Sequence, residues 1–396
     1  MDFSAIRKVR DVEVAGQRVL MRVDFNVPLK NGVITDDTRI RAALPTIKDV
    51  LARGGRLVLM SHLGRPKDKP EPAYSLEPVA ARLAEILDVG EVTLTDSCVG
   101  DGARRVVLDL RDGQVAMLEN VRFHAGETKN DEKFSRELAS LGEIYVNDAF
   151  GTAHRAHAST HGVTRFLHTK AAGQLLEKEV EALGRLLGKV ERPYVAVLGG
   201  AKVSDKISII ENLMSRVDVL VIGGAMANTF VKAAGGSVGK SLVEDDRLPL
   251  ARDLMARAEE RKVKILLPKD AVVADGPDAT ETAIVASNAV PAGRMSLDIG
   301  PASIAEFRDI LSRAGTVFWN GPMGMFEKKP FAEGTLSVAK AIAGSAAFSV
   351  VGGGDSVAAV TEAKLEHGFD HVSTGGGASL EFLEGKILPG IEALLP

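Results

Sequence analysis

The stretch SVVGGGDSVAAV, residues Ser349–Val360, carries the pattern from which the fold can be predicted. A short apolar run is followed by three glycines, an acid, a hydroxyl residue and small helix-forming residues. This order predicts a buried strand, a tight turn and a helix that begins directly after the turn. The free N–H groups at such a helix start are suited to a phosphate. The loop alone does not identify the molecule that carries this phosphate.

The alternation of an apolar run and a helical stretch recurs along the chain. Amphipathic segments such as SLEPVAARLAEILDV (75–89) and DRLPLARDLMARAEERK (246–262) separate the apolar runs. The predicted strands start at residues 18, 56, 115, 143, 194, 219, 264, 316, 348 and 371. Continuously apolar strands are typical of parallel sheets covered by helices on both faces. The sequence therefore predicts a doubly wound α/β architecture.

Length and composition predict a globular protein of two domains. The chain has 396 residues, more than one ordinary core accommodates. Hydrophobic residues make up 45% and charged residues 26%, and no apolar stretch approaches the roughly 20 residues that span a bilayer. The single cysteine, Cys98, excludes an internal disulfide framework. The start of the chain lacks the apolar core of a signal peptide. The net charge of −4 is not the excess of positive charge that is typical of a nucleic-acid-binding protein. We expect a cytoplasmic protein that binds neither membrane nor nucleic acid.

The segment GQLLEKEVEALGRLLGKVERP (173–193) is the predicted connection between the domains. Its leucines recur at helical spacing with charges between them, and Pro193 ends the pattern. We interpret it as an amphipathic connecting helix after a boundary near Ala171, with a hinge near residues 171–192. An ordinary helix inside one domain fits the pattern almost as well.

Glycines follow the predicted strands of the second half of the chain. They form four corners, at Gly199–Gly200, Gly223–Gly224, Gly352–Gly354 and Gly375–Gly377. Ligands of open α/β sheets bind beyond the carboxyl ends of the strands, and glycine permits their close approach. Four such corners favour a nucleotide site over tight turns alone. None completes the G-x-G-x-x-G pattern of dinucleotide-binding folds, and GGGDS lacks the Lys-Ser/Thr ending of a P-loop.

Two lysines and an acid near these corners are candidate phosphate and metal groups. Lys202 and Lys206 share one face if a helix starts after Ala201, where they suit a polyphosphate. Solvated surface lysines are the alternative. Asp355, at a predicted helix start, serves either as a cap or as a ligand of Mg²⁺ beside a polyphosphate, and the loop alone leaves both open.

Charged and hydrogen-bonding side chains follow the predicted strands of the first half instead. Near those strand ends lie Asp24, Asn26, Arg39, Ser61, His62, Arg65, Arg122, His124, His154, Arg155 and His157. An arginine guanidinium can donate two hydrogen bonds to one carboxylate or phosphate. Because several arginines lie near successive strand ends, we predict that they bind a small, multiply charged anion.

The closely spaced His154, His157 and His161 suggest zinc as an alternative. No acid or cysteine stands at ligand spacing, and an intervening arginine would repel a cation, so we favour an anion-facing basic patch.

The motifs gathered so far match one known family in order and from end to end. The chain resembles the phosphoglycerate kinases through RVDFNVP, SHLGRP, LENVRFH, AFGTAHRAHAS, GGAKVSDK, LVIGGAMANTF, DIGP, WNGPMGMFE, VGGGDSVAAV and STGGGASLE. The resemblance implies a monomer of two Rossmann-like lobes, each a parallel sheet covered by helices, joined by a hinge helix. It implies reversible phosphoryl transfer from 1,3-bisphosphoglycerate to ADP with Mg²⁺, giving 3-phosphoglycerate and ATP.

The resemblance also implies a division of the chain. Residues 1–172 would bind the phosphoglycerate and residues 173–192 would form the connecting hinge helix. Residues 193–380 would bind the nucleotide, and residues 381–396 would return to the first lobe.

The resemblance assigns the anion-binding groups to the phosphoglycerate. The implied substrate-binding residues are Asp24, Phe25, Asn26, Arg39, His62, Leu63, Gly64, Arg65, Arg122 and Arg155. Asp24 and Asn26 are expected at the hydroxyl and carboxyl end and Arg39 at the reacting end. His62 and the other arginines are expected on the phosphate.

The implied nucleotide-binding residues come from the glycine corners and their neighbours. They are Gly200, Lys202, Lys206, Gly223, Gly224, Asn320, Pro322, Glu327, Gly353, Gly354, Asp355 and Ser356. The two lysines are expected on the phosphates, Glu327 on the ribose and Asp355 on Mg²⁺. Arg39, Lys202 and Gly354 are the implied catalytic residues.

The expected chemistry agrees with the absence of a nucleophile–base motif. The acceptor in the reverse direction is a carboxylate, which is ionised at neutral pH and needs no general base. A nicotinamide dehydrogenase is the enzymatic alternative, which the missing dinucleotide pattern disfavours. A two-lobed binding protein for a phosphorylated metabolite is the non-enzymatic alternative, against which Lys202, Lys206 and Asp355 argue.

Overall fold

The computed structural model describes residues 3–396, so residues 1 and 2 of the predicted first lobe lie outside the described residues. The chain forms two compact units. One comprises the described residues up to Glu181 together with Ile387–Pro396, and the other comprises Ala182–Lys386. The boundary between Glu181 and Ala182 falls inside a helix, Gln174–Leu187.

The first unit is built on a parallel sheet. Its strands are β1 (Arg18–Val23), β2 (Leu29–Lys30), β3 (Val33–Ile34), β4 (Arg56–Met60), β5 (Thr93–Leu94), β6 (Val115–Met117), β7 (Ile144–Asp148) and β8 (Thr169–Ala172). Six of them form the sheet in the order β5-β6-β4-β1-β7-β8, and all its pairings are parallel. The other two, β2 and β3, form a small antiparallel hairpin.

Helices pack on this sheet through regularly spaced apolar residues. They are α1 (Thr38–Ala52), α2 (Glu77–Leu87), α3 (Asp101–Asp109), α4 (Ala125–Thr128), α5 (Glu132–Ala139) and α6 (Gln174–Leu187). Helix α1 buries Ile40, Ala43, Ile47 and Val50, which recur every three or four residues and therefore share one face. This face joins the core beneath β1 and β4, so burial rather than capping holds the helix, whose N-cap makes no side-chain hydrogen bond.

The second unit contains another parallel sheet and a smaller antiparallel one. Its strands are β9 (Tyr194–Leu198), β10 (Val219–Ile222), β11 (Ser237–Val238), β12 (Lys264–Leu266), β13 (Asp270–Ala274), β14 (Ala283–Ala286), β15 (Ala289–Val290), β16 (Met295–Ile299), β17 (Thr316–Asn320), β18 (Phe348–Gly352) and β19 (His371–Val372). The main sheet has the order β12-β10-β9-β17-β18-β19, with all pairings parallel. Strands β14, β13 and β16 form the antiparallel sheet, and β11 pairs with β15.

The helices of the second unit cover the main sheet. They are α7 (Ile207–Leu213), α8 (Met226–Ala233), α9 (Leu248–Glu260), α10 (Pro301–Ser312), α11 (Glu333–Ala343), α12 (Gly354–Glu362) and α13 (Gly377–Leu383). Trp319, the largest fully buried side chain, lies in the core with Phe307 and Val338. The strands of the sheet are buried along most of their length, as strands covered on both faces are.

The last residues belong to the first unit. Helix α14 (Pro389–Glu392) lies beside β7, where Asn147 Nδ2 donates to the Gly390 carbonyl at 3.0 Å. Lys170 Nζ donates to the Leu395 carbonyl at 2.8 Å. These contacts attach the end of the chain to the sheet of the first unit.

The predicted fold class is confirmed. Every apolar run that was predicted to be a strand contributes a strand to one of the two parallel sheets. The prediction did not include the antiparallel sheet of β13, β14 and β16, whose strands are partly exposed. Among the residues that the structure describes, no helix has both the length and the apolarity needed to cross a membrane.

Candidate active site

The polar groups of the first unit follow four strands that are neighbours in the sheet. The order β6-β4-β1-β7 places the carboxyl ends of these strands side by side. Asp24 follows β1, His62 follows β4, Arg122 follows β6, and the loop to Arg155 follows β7. Because the strands are parallel, the side chains predicted to bind an anion lie together at the carboxyl-terminal end of the sheet.

Asp24 is paired with Arg39. Arg39 Nη1 lies 2.6 Å from Asp24 Oδ2, and the carboxylate is largely buried whereas the arginine is partly exposed. Burial by itself would raise the pKa of Asp24, but nearby His62, Arg39 and Arg22 outweigh it and the pKa is lowered. The pair therefore holds an ionised carboxylate beside an arginine that still faces solvent.

Backbone and amide contacts tie the strand-end loops together. The Phe25 N–H donates to Ser61 Oγ at 2.9 Å, and the Gly64 N–H donates to Asn26 Oδ1 at 2.8 Å. Arg122 Nη1 donates to the Gly64 carbonyl at 2.8 Å. Phe25 is fully buried and Leu63 nearly so. The side chains of these two residues therefore pack beneath the loops and provide no polar group to a ligand.

His62 and Arg122 are buried beside other positive groups. Burial lowers the pKa of His62 well below its ordinary range, and Arg22, Arg122 and Arg39 act in the same direction against Asp24. Burial also lowers the pKa of Arg122 to about 10, helped by Arg22 and Arg155. An anion would relieve this concentration of positive charge.

Arg65 and Arg155 differ from the rest because both are exposed. Arg155 Nε lies 3.1 Å from His154 Nε2. Among the described residues, Arg65 makes no side-chain hydrogen bond or ion pair, so its guanidinium is available to a ligand.

The neighbouring histidines supply less charge than the sequence suggested. Burial lowers the pKa of His157 to about 4, with Arg122 and Arg22 adding to the effect. Burial and Arg165 likewise lower the pKa of His161. The predicted basic patch therefore takes its positive charge at neutral pH from Arg155 rather than from His157 or His161. No group of three or more metal-binding side chains occurs within residues 3–396, which disfavours the zinc alternative.

Sequence reasoning missed three buried polar residues behind this edge, namely Arg22, Glu127 and Ser159, none of which is exposed to solvent. Arg22 carried a signal, because it interrupts the apolar run RVLMRVDF (18–25) with a charge. A strand that is buried on both faces admits an arginine only with acceptors for its N–H groups.

In the second unit, three glycine turns pack against one another. The Gly200 N–H donates to the Pro322 carbonyl and the Gly224 N–H to the Met323 carbonyl, both at 3.0 Å. A Cβ on Gly224 would lie 2.5 Å from Gly200 N and 2.8 Å from the Pro322 oxygen. Only glycine fits at this contact, which also has a φ of +64°. Gly223 packs on Met323 in the same way.

Gly224→Ala is expected to destabilise the second unit by about 3 kcal/mol, since a left-handed φ and overpacking each contribute about 1–3 kcal/mol. Urea unfolding measures the change. Gly184→Ala is the matched control, because nothing lies within 4 Å of its added Cβ and alanine favours a helix. An unfolding midpoint for Gly224→Ala equal to that of the wild type contradicts the tight packing of these turns.

A cavity of about 410 Å³ opens beside the glycine turns. Its lining is mainly apolar and includes Val231, Leu242 and Met323, with Glu327 and Asp355 as the acids of its accessible wall. Of the predicted nucleotide residues, it is lined by Gly200, Gly224, Pro322, Glu327 and Asp355. An apolar cleft of this size with a few polar groups is typical of a small-molecule site.

Lys206 and Asn320 meet next to the cavity. Lys206 Nζ donates to Asn320 Oδ1, and Asn320 Nδ2 donates to the Gly352 carbonyl at 2.8 Å. Burial lowers the pKa of Lys206, although Asp205 and Asp355 oppose it. Lys202 is exposed, and its side chain has no hydrogen bond or ion pair within residues 3–396.

The helix that would place both lysines on one face does not begin after Ala201. The α-helix starts only at Ile207, after a 3-10 turn at Ser204–Lys206. Glu244 accepts from both the N–H and the hydroxyl of Ser204, at 3.0 and 2.5 Å. This pair of hydrogen bonds anchors the turn to another loop, and Lys202 lies in an irregular segment before the turn.

The opening stretch of sequence adopts the predicted strand, turn and helix. Strand β18 ends at Gly352, Gly353 has a φ of +91°, and α12 begins at Gly354. The buried Ser356 hydroxyl accepts from the Gly321 N–H at 2.5 Å. Asp355 is exposed in the first turn and makes no cap hydrogen bond, so the cap alternative is wrong and its carboxylate is free to bind a ligand or ion.

Asp298 is an unpredicted carboxyl in the cavity wall. It accepts from the Gly334 N–H at 2.7 Å and the Ile299 N–H at 2.8 Å, and thereby joins the end of β16 to the start of α11. Burial raises the pKa of Asp298 to about 7; these two hydrogen bonds oppose the rise and Glu333 adds to it.

The raised pKa of Asp298 predicts a pH-dependent stability. From about pH 4 to about pH 7 the folded chain keeps a proton that the unfolded chain has released, so the contribution of this group to stability falls as the pH rises. The unfolding free energy of the wild type is therefore expected to drop relative to Asp298→Asn between pH 5 and pH 8, as urea titrations would measure. The exposed Asp309→Asn is the control. A constant difference between wild type and Asp298→Asn across this range would contradict the prediction.

Comparison with known proteins gives one consistent match. The family model described as phosphoglycerate kinase matches residues 9–386. A phosphoglycerate kinase of Anaeromyxobacter dehalogenans is 58% identical over 393 residues, covering 98% of this chain and 99% of the relative. A phosphoglycerate kinase of Pelotomaculum thermopropionicum is 56% identical over 392 residues, with 99% of each covered.

Solved structures agree. Phosphoglycerate kinase from Coxiella burnetii has a TM-score of 0.89 at 44% identity, and that from Pyrococcus horikoshii has 0.83 at 35% identity, each with 98% of both chains covered. Two compact units, each built on a helix-covered parallel sheet, place the chain in the class of two-domain α/β phosphotransferases. The chain belongs to the phosphoglycerate kinase family. Its activity is the phosphoglycerate kinase reaction of glycolysis, a phosphoryl transfer between 1,3-bisphosphoglycerate and ADP.

Proposed function

We propose that the two substrates of this reaction bind to different units of the chain. Phosphoglycerate binds at the strand-end edge of the first unit, and ADP or ATP binds in the cavity of the second. The difference in chemistry between the two sets of strand ends carries this proposal. Arginine, histidine and amide groups follow the strands of the first unit, whereas glycine turns follow the strands of the second and lie beside an apolar cavity.

In the first unit, Arg65, Arg122, Arg155 and His62 hold the phosphate of the substrate. Arg65 and Arg155 are exposed, and buried Arg122 is already oriented by the Gly64 carbonyl. Asp24 and Asn26 hold the hydroxyl and carboxyl end, and Arg39 faces the reacting acyl phosphate. A guanidinium there offsets the charge that develops during transfer.

In the second unit, the base and ribose occupy the cavity, with Glu327 on the ribose hydroxyls. The phosphates extend toward Lys202, Lys206 and the backbone N–H groups of Gly353 to Ser356. The helix start at Gly354 directs its positive end at these phosphates. Gly224 and Pro322 line the wall of the cavity, Gly223 packs on Met323 of the same wall, and Asn320 accepts from Lys206 and holds it in place.

Asp355 is the protein group that would hold Mg²⁺. No cluster of three acids exists among the described residues, and one carboxylate together with nucleotide phosphate oxygens and water suits this ion. Exposed Asp355 fits such a site, and its charge lies close enough to Lys206 to oppose the lowering of that lysine's pKa by burial. When bound, the ion neutralises phosphate charge and orients the terminal phosphoryl group.

The chain itself supplies alignment and charge rather than a covalent intermediate. The carboxylate acceptor is ionised at neutral pH, so no general base is required. Arg39 and Lys202 offset the repulsion among the anionic groups, and the N–H of Gly354 donates to the transferring phosphoryl group. We further propose that the protein acts as a monomer in the cytoplasm.

Hydrogen–deuterium exchange of the full chain tests where each substrate binds. 3-Phosphoglycerate is expected to protect amides in residues 61–65 and 120–124, and ADP with Mg²⁺ to protect residues 199–206, 320–327 and 353–357. Protection by 3-phosphoglycerate confined to the second set of segments would contradict the proposal, and so would protection by ADP confined to the first.

A further inference from the structure

A continuous row of buried polar groups lies beneath the loops that follow β1 and β4 in the first unit, where the anion-binding side chains are predicted. Glu127, Ser159 and Arg22 are inaccessible to solvent, and His62 is 3% exposed. Ser159 Oγ lies 2.6 Å from Glu127 Oε1 and 2.7 Å from Arg22 Nε. Arg22 Nη2 lies 3.1 Å from His62 Nδ1. We call these four residues the Glu127–His62 row.

The direction of each hydrogen bond in the row follows from the groups present. A guanidinium has five donors and no acceptor, so Arg22 donates both to Ser159 Oγ and to His62 Nδ1. The Ser159 hydroxyl, which accepts from Arg22, gives its only proton to Glu127. The second oxygen of Glu127 accepts from the Ser159 N–H at 2.9 Å, so hydrogen bonds to both oxygens hold this carboxyl group in place.

Arg22 makes its hydrogen bonds to uncharged groups. Within the described part of the chain, no carboxylate lies at ion-pair distance from it, and its remaining hydrogen bond goes to the Val23 carbonyl. Glu127 is connected to the guanidinium through the Ser159 hydroxyl. Removing this hydroxyl would leave a buried donor unsatisfied and the guanidinium free to rotate.

The row also fixes the state of His62. Its Nδ1 accepts a hydrogen bond and therefore carries no proton, so a neutral ring must hold its proton on Nε2. If Nδ1 were protonated, its N–H and the N–H of Arg22 Nη2 would point at each other with no acceptor between them. The charged groups facing the ring are Arg22, Arg39 and Arg122, which oppose protonation, and Asp24, which favours it. No hydrogen bond from His62 Nε2 occurs within residues 3–396.

We propose that His62 binds the substrate phosphate as a neutral Nε2–H donor, and that Ser159 and Glu127 are the positioning residues that impose this tautomer through Arg22. The proposal rests on the placement of His62 in the phosphoglycerate site proposed above. Charge at the site then comes from arginine alone, so the contribution of His62 to binding does not titrate near neutral pH. Ser159 and Glu127 touch no substrate and act only through Arg22.

Nitrogen-15 NMR of the histidine rings in the unliganded protein tests the tautomer directly. His62 signals are assigned by their loss in His62→Gln. The expected result is a protonated Nε2 and an unprotonated Nδ1 from pH 8 down to pH 6. A proton on Nδ1, or a doubly protonated ring at pH 7, overturns the proposal.

Ser159→Ala tests the positioning role. His62 is expected to show mixed tautomers and to titrate closer to the ordinary histidine range, and KM for 3-phosphoglycerate to rise about tenfold with kcat within about twofold. Ser159→Thr, which keeps the hydroxyl, is expected to restore the wild-type tautomer. Ser140→Ala, which removes an exposed hydroxyl in the same unit, is the control.

The outcomes separate this proposal from the proposed function. A Ser159→Ala protein with unchanged His62 signals and unchanged KM overturns the positioning role. If Ser159→Ala does not fold, Glu127→Gln and the wild-type spectra still decide the question, and a wild-type tautomer in Glu127→Gln removes the role assigned to Glu127. If the Nε2–H tautomer is present but 3-phosphoglycerate leaves the His62 signals unmoved, the tautomer assignment stands and the placement of the substrate is wrong.

Discussion

Arg39→Ala is expected to lower kcat/KM for 3-phosphoglycerate by about 10²- to 10³-fold, the loss typical of removing one donor that stabilises transition-state charge. Arg39 extends from α1 to Asp24 and remains partly exposed, so its guanidinium can serve the buried carboxylate and the reacting group together. Steady-state kinetics with saturating MgATP measure the effect.

Two further variants separate charge stabilisation from damage to the fold. Arg41→Ala removes an arginine of the same helix whose partner is Asp37, outside the site, and is expected to retain wild-type kinetics. Arg39→Lys keeps the charge but loses the paired N–H donors of the guanidinium, so an intermediate kcat/KM is expected. A folded Arg39→Ala protein with kcat/KM within twofold of the wild type would remove Arg39 from the reaction.

Lys202→Ala is expected to lower kcat by about 10²-fold or more, again the order of one lost charge-stabilising donor. Lys202 is exposed and its side chain forms no hydrogen bond or ion pair within the described residues, so the variant should unfold at the wild-type temperature. This separation of activity from stability distinguishes a catalytic lysine from a structural one. Stopped-flow or steady-state turnover, together with thermal unfolding, measures both.

The other lysines provide the comparison for Lys202→Ala. Lys206→Ala also loses the contact with Asn320, and we expect it to weaken ATP binding as well as turnover. Lys232→Ala breaks an exposed ion pair with Asp245 away from the cavity and should change neither. Wild-type kcat in Lys202→Ala would show that Lys202 is a solvated surface lysine.

Much of the fold could be predicted from the sequence because most strands of the two parallel sheets are short apolar runs. Runs such as YVAVL (194–198) and FSVVG (348–352) are typical of a sheet covered on both faces. Strand β14 (Ala283–Ala286) is apolar too but was not predicted, and it is short and mostly exposed. The start of the helix after Lys206 could not be located from the sequence, because the turn before it is anchored at Ser204 by Glu244, 40 residues away.

The candidate site could be predicted where polar groups or glycines follow strands directly. His62 and Arg122 stand next to strand ends of the first unit and the glycine turns next to strand ends of the second, and within each unit the sheet order makes these strands neighbours. Ser159 and Glu127 were not predictable, since a serine and a glutamate gain a role only when folding brings them to Arg22. Asp298 likewise resembles any acid in the sequence, and only its burial shifts its pKa.

Isothermal titration calorimetry of two variants against both substrates tests the division of binding most directly. Arg65→Ala and Lys202→Ala suit this purpose because both side chains are exposed and neither makes a hydrogen bond or ion pair within residues 3–396. Arg65→Ala is expected to weaken 3-phosphoglycerate binding about tenfold or more while the Kd for ADP with Mg²⁺ stays within about twofold, and Lys202→Ala is expected to do the reverse. Loss of nucleotide binding in Arg65→Ala, or of 3-phosphoglycerate binding in Lys202→Ala, would contradict a separate binding unit for each substrate.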